Sequence, residues 1–166
     1  MKKKLYLVRH GKSDWSNPKL RDFDRPLKKR GLRNARTMAK ILKEKNIKPD
    51  CIVTSSARRA LDTATIFSEQ LDVPPEKFLP DESVYFASPS ELINLIKQQD
   101  DSVETLMIFG HNPGFTNLAN FFLPEALNNI PTAGFVYLEF DAESWKQISK
   151  SNVAAHYYDY PKKYDE

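Results

Sequence analysis

The sequence predicts a three-layer α/β fold, a mostly parallel central sheet between helices with an antiparallel strand at an edge, and three observations predict it. Short runs of β-favouring residues at 5–8, 51–55 and 106–109 each lead into a cationic or imidazole side chain. Between them lie stretches of helical periodicity, the usual crossover between parallel strands. Near the end the pattern changes: Phe135, Tyr137 and Glu139 alternate with Val136, Leu138 and Phe140, and 153–158 follow. These last two runs read as strands at a sheet margin, antiparallel to a neighbour.

Taken in order, the first run delivers Arg9 and His10 onto Gly11. After Pro26, the residues Leu32, Ala35, Ala39 and Leu42 recur at helical spacing and stop near Asn46 and Pro49, so a helix joins the first two strands as a βαβ unit. The second strand runs into Ser55-Ser56-Ala57-Arg58-Arg59. Either serine is expected to cap a helix whose apolar face is Ala60, Ala64, Phe67 and Leu71, with Arg59 in its first turn. Ser88-Pro89-Ser90-Glu91 combines an N-cap serine, proline at the first helical position and the glutamate of a capping box. The third strand runs into Gly110-His111-Asn112-Pro113-Gly114, where Asn112-Pro113 opens a helix carrying Phe115, Leu118, Ala119 and Phe122. His111 then precedes a helix N-terminus, whose free N–H groups favour an anion. Residues 17–25 and 74–88 are the longest loops, and both fall near the edge where the three strands end. In an open α/β sheet that edge binds ligands.

Length and composition set bounds. With 166 residues, 40% of them apolar, the chain suits one domain spanning 1–166. The formal charge is +3, and the lysines sit in small groups interleaved with acids, which argues for a solvated surface and against nucleic acid as a partner. Lys2 to Lys4 resemble the head of an export signal, but only residues 5–8 follow before Arg9, so neither export nor a membrane partner is expected and the location is read as cytoplasmic. Cys51, the one cysteine, opens an apolar strand and reads as a core residue.

If the three strands are parallel, Arg9, His10, Arg59 and His111 meet at one edge. Guanidinium forks and imidazole donors suit the negative oxygens of a phosphoryl group. An imidazole nitrogen in line with phosphorus forms a P–N bond and later yields it to water, dividing one slow displacement into two faster ones. His10 is the best-placed nucleophile, and neighbouring guanidinium charge is expected to keep it neutral. No metal or cofactor is called for.

Four segments in consistent order, Leu7-Val-Arg9-His10-Gly11-Lys12-Ser13, Asp24-Arg25-Pro26-Leu27, Thr54 to Ala64 and Gly110-His111-Asn112-Pro113-Gly114, resemble the histidine phosphatase superfamily, and most closely its SixA-type phosphohistidine phosphatases. The resemblance implies a phosphoglycerate-mutase-like fold, with His10 as phospho-acceptor and Arg9, Arg59 and His111 binding the transferring group. It implies a phosphate contact for Arg25 and selects Arg59 over Arg58, which should be solvated. Lys12 and Ser13 are candidates to line the phosphate pocket. Lys28 stands where the family has threonine, a change bearing on a helix cap. No acid matches the family's leaving-group donor securely, and Glu82 is nearest in position.

The function so implied is removal of phosphate from phosphohistidine in a protein. The alternatives are a phosphatase for small phosphate esters, a phosphate-binding module without catalysis, and a metal-dependent hydrolase using His10, His111 and His156. Against the last, arginines beside the two histidines would repel a divalent cation, and the spacings match no local metal motif.

Overall fold

The computed structural model describes residues 2–164. One six-stranded sheet forms from β1 (Lys2–Arg9), β2 (Cys51–Thr54), β3 (Phe78–Pro80), β4 (Thr105–Gly110), β5 (Phe135–Asp141) and β6 (Val153–Asp159). Its spatial order is β3-β2-β4-β1-β5-β6. The four strands from β3 to β1 are parallel, and β5 and β6 add antiparallel at one margin. The helices are α1 (Lys29–Glu44), α2 (Arg58–Gln70), α3 (Pro89–Lys97) and α4 (Gly114–Phe122). Among the described residues, no helix is long and apolar enough to cross a membrane.

Strand alternation makes the layers. Leu5, Leu7, Val53, Leu106 and Ile108 pack with Leu92 and Ile96 of α3 and Phe115 and Leu118 of α4, while Tyr6, Val8, Ile52, Met107 and Phe109 face Ala35, Met38 and Leu42 of α1 and Phe67 of α2. Each large buried side chain contributes about 1.5–3 kcal/mol, so the sheet is gripped on both faces. The β1–α1–β2 crossover leaves one place between its strands, which β4 fills. Arg9 is level with Gly110, and Thr54 with Phe109, so three strand ends arrive at one height.

Several elements differ from their sequence expectation. β3 is a three-residue edge strand inside the predicted 74–88 loop, too short and proline-punctuated to show period-two alternation. β1 begins at Lys2, which buries Lys3 completely; its Nζ donates to the Val103 carbonyl at 3.2 Å and lies 5.9 Å from the centre of the Trp145 ring. Neither Ser55 nor Ser56 caps α2. Ala57 occupies the N-cap without a side-chain bond, because Ser55 Oγ faces the site described below. The Ser88 capping box forms as expected, and Lys28 is an N-cap without a side-chain bond.

Candidate active site

The turn after β1 is held from all sides by main chain. His10 N–H donates to the Gly110 carbonyl at 3.1 Å, and its own carbonyl accepts from Ala133 N–H at 2.9 Å. Gly11 N–H donates to Thr63 Oγ1 at 3.0 Å, tying the turn to α2. A Cβ on Gly11 would lie 2.9 Å from the Gly31 carbonyl oxygen, and one on Gly31 only 2.3 Å from that of Lys12. This close approach of α1 to the turn explains both glycines, and it leaves the His10 backbone little freedom.

All four residues expected to converge do so. His10 Nδ1 lies 2.6 Å from the Gly11 carbonyl. That acceptor requires the proton on Nδ1 and leaves the lone pair on Nε2. The His111 ring centre is 5.3 Å away. His111 Nε2 is 2.7 Å from Ser55 Oγ, which already accepts from Ala57 N–H. With the serine hydroxyl donating to Nε2, His111 carries its proton on Nδ1, a buried atom without a partner. Arg9 Nη1 donates to the Ile130 carbonyl at 2.9 Å, while its buried Nε is also unpartnered. Arg59, 8% exposed, is turned inward from the first turn of α2; Arg58 lies outside, paired with Asp62 at 3.6 Å. Unpartnered buried donors are rare and costly, and a phosphoryl oxygen would satisfy both.

Burial is the main reason His10 is neutral. It lowers the imidazole to about 4 against the raising effect of the Gly11 bond, with the charges of Arg59 and Arg9 adding. The guanidinium effect expected from sequence is therefore real but secondary. His111 falls to about 3, again through burial first, then through His10 and Arg59. In the unfolded chain both imidazoles take up protons near 6.5, the ordinary value, whereas in the folded protein His10 resists until about 4 and His111 until about 3. The unfolded state thus binds more protons across that window, and stability present above pH 6.5 should fall progressively toward pH 4. Calorimetric Tm against pH is expected to show this fall, and His10→Ala to reduce it.

The remaining candidates are placed differently. Arg25 Nη1 and Nη2 donate to the carbonyls of Asn17 and Leu20 at 3.0 and 2.9 Å, and the guanidinium stacks 3.9 Å from the Trp15 ring centre. It therefore organises the loop between β1 and α1. Ser13 Oγ accepts from Trp15 Nε1 at 2.8 Å. Lys12 is exposed beside a cavity shared with Arg30, Asn34 and Lys162. Glu82 is exposed on a short turn. His156 stands on β6 opposite Leu138 and lines a cavity that neither His10 nor His111 lines. Among the described residues, no group of three or more His, Cys, Asp or Glu side chains is arranged to hold a metal ion.

Three residues enter that the motifs did not single out for the site. Ser55 orients His111. Asp22, on a short turn within the 17–25 loop, accepts from Arg59 twice: Nη1 to its carbonyl at 2.7 Å and Nη2 to Oδ2 at 3.0 Å. Tyr85 donates its hydroxyl to the same Oδ2, and its ring centre is 5.3 Å from that of His111. Burial alone would raise the Asp22 carboxyl, but the Tyr85 and Arg59 bonds outweigh it and hold Asp22 below its ordinary value. Beyond Tyr85 a cavity of about 220 Å³, lined also by Phe86, His111 and Asn117, opens beside the His111 imidazole.

Comparison with known proteins bears on the family and the fold. Residues 5–78, which contain Arg9, His10, Asp22, Arg25 and Arg59, match the model of the histidine phosphatase superfamily, branch 1. An uncharacterized chloroplastic protein of Arabidopsis thaliana is 32% identical over 155 residues, covering 87% of this chain and 70% of that protein. Phosphoglycerate mutase 1 of Saccharomyces cerevisiae is 33% identical over 73% of this chain, a match spanning 48% of the mutase. Among solved structures, the protein assigned as phosphohistidine phosphatase SixA in Agrobacterium tumefaciens superposes with a TM-score of 0.78 at 25% identity, covering 93% of this chain and 97% of that one. A protein histidine phosphatase SixA complexed with tungstate shares the fold, with a TM-score of 0.77 at 18% identity over 98% of this chain and 99% of that one. With the strand-end histidines and arginines assembled and the relatives covering most of its length, the chain belongs to the histidine phosphatase superfamily.

Proposed function

We propose that residues 1–166 act as one metal-independent phosphatase domain that passes phosphate through His10 and draws it from phosphohistidine in a protein. The observation that carries this reading is the free Nε2 of His10 set among Arg9, Arg59 and His111, with no protonated carboxyl beside it among the described residues. Nε2 attacks phosphorus, and the guanidinium groups and the His111 Nδ1–H hold the equatorial oxygens as charge spreads over them. The substrate follows from the leaving group. An alkoxide leaves poorly unless an acid protonates it, and Asp22, the one carboxylate at the site among the described residues, is held ionised. Imidazole, with an ordinary pKa of about 6.5, leaves neutral once solvent has protonated its other nitrogen. Of the SixA proteins that share the fold, one is assigned as a phosphohistidine phosphatase and another is named a protein histidine phosphatase, which supports the same choice.

A turnover screen tests this. The expected kcat/KM for a phosphohistidine protein exceeds that for an alkyl monoester by about 10²-fold or more, the low end of what a general acid supplies. EDTA should leave the rate unchanged, and vanadate or tungstate should inhibit. Efficient hydrolysis of alkyl esters would instead favour a small-ester phosphatase, and binding of phosphohistidine protein without turnover a recognition module. Loss of activity on chelation, restored by a divalent ion, would favour the metal hydrolase.

A further inference from the structure

The loop between β1 and α1 supplies a carboxylate for which phosphoryl transfer to His10 has no use. Asp22 is aimed by three bonds, its carbonyl and Oδ2 both held by Arg59 and Oδ2 also by the Tyr85 hydroxyl. Its other oxygen, Oδ1, has no hydrogen-bond partner among the described residues, and the side chain is 44% exposed, so water reaches it. The loop carrying it is clamped by the Arg25 bonds to Asn17 and Leu20. Among the described residues, Asp22 is also the one carboxylate whose charge acts appreciably on both His10 and His111.

We propose that Asp22 Oδ1 is the general base of the second half-reaction, taking a proton from the water that attacks phospho-His10. The inference rests on the phosphatase reading above. The water oxygen bonds to phosphorus as the P–Nε2 bond breaks, and that bond's electron pair returns to Nε2. One water proton passes to Oδ1. The products are inorganic phosphate, neutral His10 and protonated Asp22, which then releases its proton to solvent.

Before substrate arrives, Arg59 and Tyr85 keep Asp22 ionised, so it enters the reaction carrying no proton for a leaving group. Once a phosphoryl group draws Arg59 to its own oxygens, Asp22 loses a cationic partner and gains a negative neighbour. Both changes raise its affinity for a proton. The carboxylate thus enters the first step with no proton to give and, with phosphate bound, is better able to accept one from water, which fits a substrate whose leaving group needs no acid.

p-Nitrophenyl phosphate separates the two steps, because its first turnover releases nitrophenolate as phospho-His10 forms and later turnovers await hydrolysis. In Asp22→Asn the burst should keep its rate within about threefold while steady-state turnover falls about 10²-fold or more, with phosphoenzyme accumulating. Asp24→Asn, which loses only an exposed pairing with Arg21, should keep both phases. Equal loss of burst and steady state in Asp22→Asn would overturn the proposal in favour of a role in positioning Arg59. An unchanged or faster steady state would overturn it in favour of a carboxylate that merely competes with phosphate. The wild-type protein gives a check free of folding effects: a solvent deuterium isotope effect on dephosphorylation and none on the burst, with equal effects on both counting against the base. Absence of phosphoenzyme in wild type would overturn the parent reading, whereas phosphoenzyme that decays equally fast in both proteins would overturn the Asp22 assignment alone.

Discussion

His10→Ala should yield a folded protein whose turnover has fallen by about 10⁴-fold or more, the scale seen when a covalent nucleophile is removed. The loss should be this large because no other group at the site can substitute. His111 Nε2 is engaged with Ser55, and with the serine hydroxyl donating to it the remaining Nδ1 carries the proton. The fold should survive because the His10 turn is tied by main-chain bonds to Gly110 and Ala133 and by Gly11 to Thr63, none of which uses the imidazole. A folded variant retaining more than a tenth of the wild-type rate would contradict the assignment.

Arg59→Ala should lower kcat by about 10²–10³-fold, the usual effect of removing a preorganised donor to a developing oxyanion. Arg58→Ala should stay within about twofold, since an exposed i,i+4 pair on a helix is worth only about 0.3–0.5 kcal/mol and its side chain points to solvent. The contrast is a test of helix register, because adjacent residues differ by about 100° around the axis. Steady-state kinetics on the two variants with p-nitrophenyl phosphate decides it, and similar losses at both positions would place the wrong arginine in the site.

What was legible in the sequence was whatever local pattern determines. Apolar runs ending in Arg9-His10, Ser55 and Gly110-His111 revealed the strand ends, and parallel pairing in register was enough to bring residues a hundred positions apart together. Ser88 to Glu91 announced a helix start because a capping box is complete within four residues. Asp22 and Tyr85 were not legible, because their places depend on two loops meeting over the strand ends. The loop bearing Asp22 takes its shape from Arg25 reaching back to Asn17 and Leu20, with Trp15 beneath. Arg25 was singled out for phosphate; its Nη1 and Nη2 bonds go to the loop, while its buried Nε has no partner. Ser55 was noticed as a cap because serine before a helix usually is one; its bond to a histidine 56 residues away has no local signature. The neutrality of His10 was anticipated from charge, whereas its larger cause, burial, belongs to the packed molecule.

The central claim is a covalent bond between phosphorus and His10 Nε2. Incubation with a radiolabelled phosphohistidine donor, rapid quenching in alkali and mapping of the label test it directly. The account predicts up to one phosphate per chain on the peptide containing His10, stable to alkali, released by acid and absent from His10→Ala. A label that survives acid, maps to Ser55 or another residue, or persists undiminished in His10→Ala would contradict it.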